Sequence, residues 1–367
     1  MMEHPAIPPV PASILMTVEP AGGAWTRSVE LARELCDAGS EVTLAVTGGS
    51  LSPDQRALAY RIPGLDMQEN ASSRPEECAD WLLDLEDALS PRVVHLNGCL
   101  EGALPWRTRT VMSVHPGQLT RPPQANDPDS WARQRETLRR SLTAADLVVA
   151  PSHAVLSLLV ESYGLSGGRI IPPGRDPSAF APADKEPLIL GVGRVWESAK
   201  NFSLLDDIAP LLNWPMVVAG DNRTPAGEAI RLDNVSLLGR LPQGQLAAWY
   251  ARAAIFVYPS RFEPSGLSVL EAALSGCALV LADTPSLREI WTGAALFACP
   301  DDPAAFAARL RQLAEDRSLR EAMGHAARSR ALRYGSRRMA EAYCAAYGEA
   351  LATSSMRSPA AAMQLPL

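Results

Sequence analysis

The sequence predicts an α/β protein built from two Rossmann-like domains, and three observations support this fold class. Its 367 residues exceed what one ordinary hydrophobic core accommodates, so the length favours two domains. Short apolar runs alternate with amphipathic segments in two successive stretches, which is the pattern of parallel sheets covered by helices. A proline-rich segment between Ile171 and Leu188 separates the stretches, because proline removes a hydrogen-bond donor and disfavours helix in the preceding residue.

The first stretch begins with the apolar run SILMTV (13–18), which is typical of a buried strand. A Gly-Gly loop follows, and the next apolar positions fall on one face of a helix that Gly39 ends. Further strands are predicted at 41–46, 92–96, 110–115 and 146–152.

The second stretch repeats this alternation after the proline-rich segment. Strands are predicted at 188–193, 215–220, 235–239, 255–260, 277–282 and 295–299, followed by helices near 302–315, 317–333 and 336–352. The tail from Thr353 is rich in Ser, Pro and Ala and is predicted to be disordered. The two halves therefore share an architecture, although no short repeat relates their sequences.

The composition limits the classes of function. A formal net charge of -7 argues against a protein that coats nucleic acid or an anionic membrane, and an anionic ligand would need local cations. The six cysteines are scattered without a CxxC pair, which favours reduced thiols over a metal site or a disulfide framework. Residues 1–12 do not resemble a signal peptide, and no apolar run approaches the roughly 18 residues of a spanning helix, so we expect a cytoplasmic protein.

The strongest local signal is YPSRFEPSGLSVLEAALSG (258–276). It predicts the end of a strand, a short loop that carries Glu263, and a helix that starts near Ser265 or Gly266. The first turn of a helix has N–H groups without intrahelical partners and the positive end of the dipole. The amides of Gly266 and Leu267 are therefore predicted to bind an anion.

Two glutamates, Glu263 in the loop and Glu271 on the second turn of this helix, accompany the predicted anion site. Either one alone is more often a solvated surface residue. An ionised carboxylate also accepts two hydroxyl groups, so sugar hydroxyls are the natural partners beside a phosphate site. The surrounding pattern favours this second interpretation.

A second signal is GVGRVWESAKN (191–201), which follows the first predicted strand of the second half. Its glycines permit close backbone approach, and Arg194 and Lys200 supply two cations that suit a diphosphate leaving group. The rival interpretation is a dinucleotide fingerprint, but Trp196 occupies the position of the third glycine.

These segments resemble the retaining family 4 glycosyltransferases, which have two Rossmann-like domains facing a central cleft, the glycosyltransferase-B fold. The family's E-x7-E signature matches Glu263 through Glu271. The other similar segments are Gly22-Gly23, 113–115, 148–152, Gly193-Arg194, Lys200-Asn201, 217–222, 234–242 and 286–291.

The resemblance implies a metal-independent, retaining hexosyltransferase without a cofactor, which uses a UDP-, GDP- or ADP-linked sugar and an unidentified acceptor. It implies an acceptor-binding domain (1–174), a donor-binding domain (175–335), a helix returning to the first domain (336–352) and the tail (353–367). By the same resemblance, Arg194 and Lys200 bind the diphosphate, and Glu263 contacts the transferred sugar near Gly193, Ser265, Gly266 and Leu267. Glu271 contacts the ribose, and Arg240 and Leu241 contact the base. In the first domain, Gly22 and Gly23 contact the phosphates and the acceptor, and His115 contacts the donor sugar.

This chain departs from the family pattern at two places. Many members have Asn-Gly-Val-Asp in the linker, where this chain has Pro-Gly-Arg-Asp (173–176), and Ser265 stands where an aromatic residue is common. Both departures concern contacts to the donor sugar rather than the fold.

A metal-binding D-x-D motif is a further candidate, because the triplet 127–129 reads Asp-Pro-Asp. It lies between prolines and far from the predicted donor site, so we expect a solvated turn and no metal. The basic stretch 133–140 suits a solvated helix face, although it leaves peripheral contact with the inner membrane face open.

Two other functions remain open at this stage. A sugar-nucleotide epimerase or a phosphorylase shares the same double-Rossmann plan, but a phosphorylase of the glycogen type needs a pyridoxal lysine, and the chain's only lysines are Lys185 and Lys200. A catalytically silent nucleotide-sugar binder would be expected to lack the diphosphate cations or Glu263, and all are present.

Overall fold

The computed structural model describes residues 10–20, 22–70, 72, 74–98, 101–115, 119, 128–224 and 226–352. The predicted tail 353–367 and Asp127 lie outside these residues. Asp129 lies in the first turn of a helix (Pro128–Ala144) and not in the predicted turn, because a proline suits the first helical position.

The chain divides into two compact units, one formed by Met1–Gly174 with Ser336–Leu367 and the other by Arg175–Gly335. We call them the first and second units. Over the described ranges, no helix is both long and apolar enough to cross a membrane.

The first unit contains one parallel sheet of seven strands with the order β3-β2-β1-β4-β5-β6-β7. Its strands are β1 (Ser13–Val18), β2 (Glu41–Val46), β3 (Leu65–Glu69), β4 (Val93–Leu96), β5 (Thr110–Ser113), β6 (Leu147–Ala150) and β7 (Arg169–Ile170), and its helices are α1 (Gly22–Asp37), α2 (Pro53–Ala59), α3 (Pro75–Leu89), α4 (Pro128–Ala144), α5 (His153–Tyr163) and α12 (Ser336–Ala352). The central strands are buried on both faces, which explains their apolar runs. The sequence did not predict β3 or β7, because β3 (LDMQE) is polar and partly exposed and β7 has only two residues.

The last helix, α12, belongs to the first unit and packs against α1, as the family resemblance implied. Tyr347 Oη lies 2.7 Å from His95 Nδ1, and Tyr343 Oη lies 2.8 Å from Ser113 Oγ, which also contacts His95 Nε2 at 2.8 Å. Burial, together with the charge of Arg27, lowers the pKa of His95 to about 3, so this ring is neutral at pH 7. A buried polar network therefore fastens the last helix to strands β4 and β5.

The second unit contains a parallel sheet of six strands with the order β10-β9-β8-β11-β12-β13. Its strands are β8 (Glu186–Val192), β9 (Met216–Ala219), β10 (Ser236–Gly239), β11 (Ala253–Tyr258), β12 (Ala278–Ala282) and β13 (Leu296–Ala298), and its helices are α6 (Phe202–Ile208), α7 (Gln243–Arg252), α8 (Leu267–Leu274), α9 (Pro285–Trp291), α10 (Pro303–Glu315) and α11 (Arg317–Ala331). Two parallel Rossmann-like sheets are thus present, which confirms the predicted fold class for each unit.

A cavity of about 530 Å³ opens in the first unit beside Asp146, Gly168 and Arg169. These residues stand at the amino ends of β6 and β7. The predicted site residues instead follow the carboxyl ends of strands, so this cavity is separate from them.

Candidate active site

The two strongest motifs of the second unit meet at the point where the strand order reverses. Strand β8 pairs with β9 on one side and with β11 on the other. The loop that begins with Gly193 follows β8, and the loop that carries Glu263 follows β11. Open α/β sheets bind ligands at the carboxyl ends of strands beside such a switch point. The sheet therefore places both loops where a ligand site is expected.

Close backbone packing fixes the start of the first loop. The Gly193 amide donates to the Ala219 carbonyl at 3.0 Å. Gly220, which follows β9, has φ +144°, and a Cβ atom there would lie 1.7 Å from the Gly193 carbonyl oxygen. Only glycine fits this contact, so the loop after β8 is held directly against the end of β9.

The end of the same loop is held by Asn201. This residue adopts a left-handed conformation with φ 60°, which asparagine tolerates better than most residues. Its side-chain amide donates to the carbonyls of Pro259 and Pro300 at 3.2 and 2.8 Å. The neighbouring Lys200 is thereby placed against the end of β11.

Lys200, Glu263 and Tyr258 form a buried polar cluster at this edge of the sheet. Lys200 Nζ lies 2.7 Å from Glu263 Oε2 and 3.0 Å from Tyr258 Oη, and the Tyr258 hydroxyl also donates to Glu263 Oε2. Burial alone would lower the pKa of Lys200 and raise that of Glu263. The attraction between the two charges outweighs burial, so the pKa of Lys200 lies above its ordinary value and that of Glu263 is about 2.

The second oxygen of Glu263 closes the loop before α8. Oε1 accepts hydrogen bonds from the Gly266 amide at 2.8 Å and from the amide and hydroxyl of Ser265 at 3.2 Å. Gly266 has φ 61°, and α8 begins at Leu267. The Gly266 amide, which was predicted to bind an anion from a ligand, instead donates to the carboxylate of Glu263 within the chain. The alternative that Glu263 is a solvated loop residue is wrong, since it is 4% exposed.

Arg194 lies in the same loop but is more exposed than Lys200. Its guanidinium group forms an ion pair with Glu197 at 2.7 Å and lies 5.3 Å from the centre of the Trp196 ring. The charge of Glu197 also helps to raise the pKa of Lys200. Glu197 therefore links the two cations. It was not among the predicted site residues, although it stands three residues after Arg194.

Glu271 projects from the second turn of α8 and is 7% exposed, so the alternative of a solvated helix residue is wrong for it as well. Its Oε1 lies 3.0 Å from Arg175 Nε. Tyr250 lies close to Glu271. Burial raises the pKa of the Tyr250 hydroxyl strongly, and the charge of Glu271 raises it further. Arg175 was not predicted as the partner of Glu271. The one sign of it in the sequence is that Arg175 departs from the linker sequence common in the family.

The predicted base-binding pair lies after the edge strand β10. Arg240 is exposed and Leu241 is half-buried. Both residues are separated from the Lys200 cluster along the sheet by β9 and β8. Their contact with the base stays a prediction.

In the first unit, the predicted residues also follow the carboxyl ends of strands. Gly22 (φ 64°) and Gly23 begin α1 after β1, and His115 follows β5. His115 Nε2 donates to Asn97 Oδ1 at 2.7 Å, and Arg27 Nη2 lies 2.8 Å from His115 Nδ1. Burial and the charge of Arg27 hold the pKa of His115 well below its ordinary value, so the ring is neutral. Arg27 and Asn97 were not among the predicted site residues.

Within the described ranges, no group of three or more His, Cys, Asp or Glu residues is arranged to hold a metal ion.

Solved structures identify the class of fold. Sucrose-phosphate synthase from Thermosynechococcus elongatus matches with a TM-score of 0.77 at 17% identity, over 93% of this chain and 100% of that chain. Anabaena HepE, solved in complex with UDP-glucose, matches with a TM-score of 0.75 at 16% identity, over 93% of this chain and 99% of that chain. At such identities the likeness shows the fold alone, which is the glycosyltransferase-B fold.

The family follows from the sequence comparisons. The model described as Glycosyltransferase Family 4 matches residues 21–179, and the model described as Glycosyl transferases group 1 matches residues 186–316. This chain therefore belongs to the group 1, family 4 glycosyltransferases.

Curated relatives are similar at moderate identity. The O-antigen chain mannosyltransferase B of Escherichia coli is 27% identical in an alignment of length 246, and the alignment covers 59% of this chain and 65% of that protein. The mannosylfructose-phosphate synthase of Agrobacterium fabrum is 29% identical in an alignment of length 194 that covers 43% of each chain. The D-inositol 3-phosphate glycosyltransferase of Nocardia farcinica is 26% identical in an alignment of length 395, gaps included, that covers 90% of this chain and 85% of that protein. The chain thus spans less than two thirds of the length of the first two relatives.

Proposed function

We propose that this protein is a retaining glycosyltransferase that moves a hexosyl group from a nucleotide-diphosphate sugar to an acceptor. The observation that carries the proposal is the buried Lys200–Glu263 ion pair of 2.7 Å at the switch point of the second unit. Glu263 is the first glutamate of the family's E-x7-E signature, and Lys200 shares its loop with the half-exposed Arg194. A buried cation and a half-exposed cation at one sheet edge suit a diphosphate group.

The chemistry needs positive charge at the leaving group. As the glycosidic bond breaks, the anomeric carbon becomes oxocarbenium-like and the diphosphate gains negative charge. Cations that are already fixed in place stabilise that charge without reorganisation. An ammonium group has three protons, and Lys200 directs two of them to Tyr258 and Glu263. We assign the third to the departing diphosphate.

Glu263 has a role in this scheme that the family resemblance did not imply. Both of its oxygens accept hydrogen bonds within the chain, from Lys200 and Tyr258 on one side and from Ser265 and Gly266 on the other. We infer that it first of all fixes Lys200 and the loop before α8. Contact with the transferred sugar, through this loop and Leu267, remains part of the proposal.

Arg194 completes the diphosphate site by exchanging partners. Its ion pair with Glu197 is partly exposed, with 43% of the Arg194 side chain accessible. A diphosphate offers bidentate acceptors of higher charge than one carboxylate, so it is expected to displace Glu197. With two cations serving the leaving group, we propose that no metal ion is required.

The remaining assignments follow the family resemblance. Glu271 would hold the ribose hydroxyls, Arg240 and Leu241 the base, and His115 with the Gly22-Gly23 loop the donor sugar and the acceptor. The relatives' names include a mannosyltransferase, an inositol 3-phosphate glycosyltransferase and a mannosylfructose-phosphate synthase, and HepE was solved with UDP-glucose. Sugars and sugar phosphates are therefore the first acceptors to test, with UDP-, GDP- and ADP-linked donors.

The test is an assay of nucleotide release and glycoside formation with these donors and acceptors, with and without EDTA. We expect transfer with retention of anomeric configuration, equal rates in EDTA, and at least a hundredfold lower turnover in Arg194→Ala. Isomerised nucleotide sugar without acceptor would identify an epimerase instead. Binding of a nucleotide sugar without transfer or hydrolysis across the acceptor panel would identify a silent binder.

A further inference from the structure

We propose that Arg175 is a positioning residue that holds the Glu271 carboxylate in the orientation needed to bind the ribose hydroxyls of the donor. This inference rests on the proposed function, because it takes Glu271 as the ribose-binding residue. It concerns a residue at which this chain departs from the linker sequence common in its family.

Arg175 is held at both its backbone and its side chain. Its amide donates to the Tyr334 carbonyl at 3.1 Å, and its backbone forms an isolated β-bridge with Gly335. The guanidinium carbon lies 5.0 Å from the centre of the Phe180 ring, at the distance of a cation–π contact. Arg175 is only 1% exposed, so its charge is directed inward and does not serve as a surface cation.

The partner of this fixed guanidinium group is the Glu271 carboxylate. Arg175 Nε and Glu271 Oε1 are 3.0 Å apart, and 2% and 9% of the two side chains are accessible. The residues are far apart in sequence, one in the linker and the other on α8. A buried carboxylate keeps its charge at neutral pH only when a partner compensates the lost hydration. Arg175 supplies that compensation.

A carboxylate that binds two neighbouring hydroxyls needs full charge and a fixed plane. Arg175 contacts one oxygen from the linker side, which sets the rotation of the carboxylate about its terminal bond. The planar guanidinium group, which lies over the Phe180 ring, resists rotation in a way that a lysine ammonium does not. The expected consequence is selectivity for ribose over deoxyribose, since a missing hydroxyl removes a charge-assisted hydrogen bond.

A purely structural role is the competing explanation, because the same contacts fasten the linker to α8. The two explanations differ in one measurable quantity. Loss of a structural contact weakens binding of ribonucleotides and deoxyribonucleotides equally. Loss of a positioning residue removes the preference between them.

The experiment measures calorimetric dissociation constants of UDP, GDP and ADP and of their 2′-deoxy counterparts for the full chain and its variants. For the diphosphate that binds best, we expect the wild type to prefer the ribose form by about tenfold or more. Glu271→Gln and Arg175→Met should each bring this ratio close to one, and Arg175→Lys should restore part of it. In the transfer assay, Arg175→Met should raise the KM of the donor by about tenfold and change kcat by less.

Arg252→Met is the matched control, because Arg252 forms an exposed ion pair with Glu186 in the same unit. It should keep the wild-type ratio. If Arg175→Met does not fold, the ribose preference of Arg175→Lys is compared with that of the wild type, and a lower preference in Arg175→Lys supports the role of Arg175. If a folded Arg175 variant keeps the full ribose preference while Glu271→Gln loses it, the proposed role of Arg175 is overturned and the ribose assignment of Glu271 stands. If no diphosphate binds to the wild type, or Glu271→Gln keeps the preference, the ribose assignment within the proposed function fails as well.

Discussion

Replacing Lys200 by methionine removes the charge that Glu263 faces while keeping most of the side-chain volume. In the folded protein the pKa of Glu263 is held at about 2, against an ordinary value of 4.5. At 1.36 kcal/mol for each pKa unit, this difference corresponds to about 3 kcal/mol of stability. The cost of breaking a buried ion pair by removing one partner is also roughly 3–5 kcal/mol. We therefore expect Lys200→Met to lower the free energy of unfolding by about 3 kcal/mol at pH 7.

The pH dependence of this difference has a definite sign. Because the pKa of Glu263 is lower in the folded state, its stabilisation is fully present above about pH 4.5 and is lost as the pH falls toward 2. The gap between wild type and Lys200→Met in urea unfolding should therefore shrink between pH 4.5 and 2.

A double variant separates stability from catalysis. Lys200→Met/Glu263→Gln removes both charges, so it should be more stable than Lys200→Met while its turnover stays at least a hundredfold below wild type. Arg252→Met, which breaks an exposed pair, should change stability by less than about 1 kcal/mol. Wild-type stability in Lys200→Met, or no recovery in the double variant, would refute the assignment of Lys200 and Glu263 as a buried charge pair.

Three further predictions concern single residues. Glu197→Gln should lower the dissociation constant of the nucleoside diphosphate several-fold in calorimetry, since Arg194 then has no ion pair to break; unchanged affinity would show that Glu197 does not compete. The free energy of unfolding should decrease as the pH is lowered from 6.5 to 3, because folding holds His95 neutral with a pKa of about 3. In urea unfolding, His95→Asn should make this free energy less dependent on pH over the same range. Gly220→Ala should lower the thermal midpoint by several degrees, whereas Gly244→Ala, with open space around its Cβ position on α7, should not lower it; equal midpoints would contradict the close contact after β9.

The sequence by itself determined most of the architecture. Buried parallel strands must be apolar on both faces, so runs such as SILMTV and ALVLA identify strands without tertiary information. The polar strand β3 and the two-residue β7 lack that signal, and for this reason they were missed. The candidate residues Arg194, Lys200 and Glu263 could also be predicted from the sequence, because ligand-binding loops follow the ends of strands.

Only the tertiary structure decided how the charges pair. Lys200 and Glu263 are 63 positions apart and meet because β8 and β11 are neighbours in the sheet. Arg175 and Glu271 meet because the linker runs beside α8, and the resemblance gave no reason to pair them. The hydrophobic periodicity and the motifs of the sequence indicate which residues are buried and which follow a strand. Which buried cation compensates which carboxylate depends on strand order and loop path, and these exist only in the folded chain.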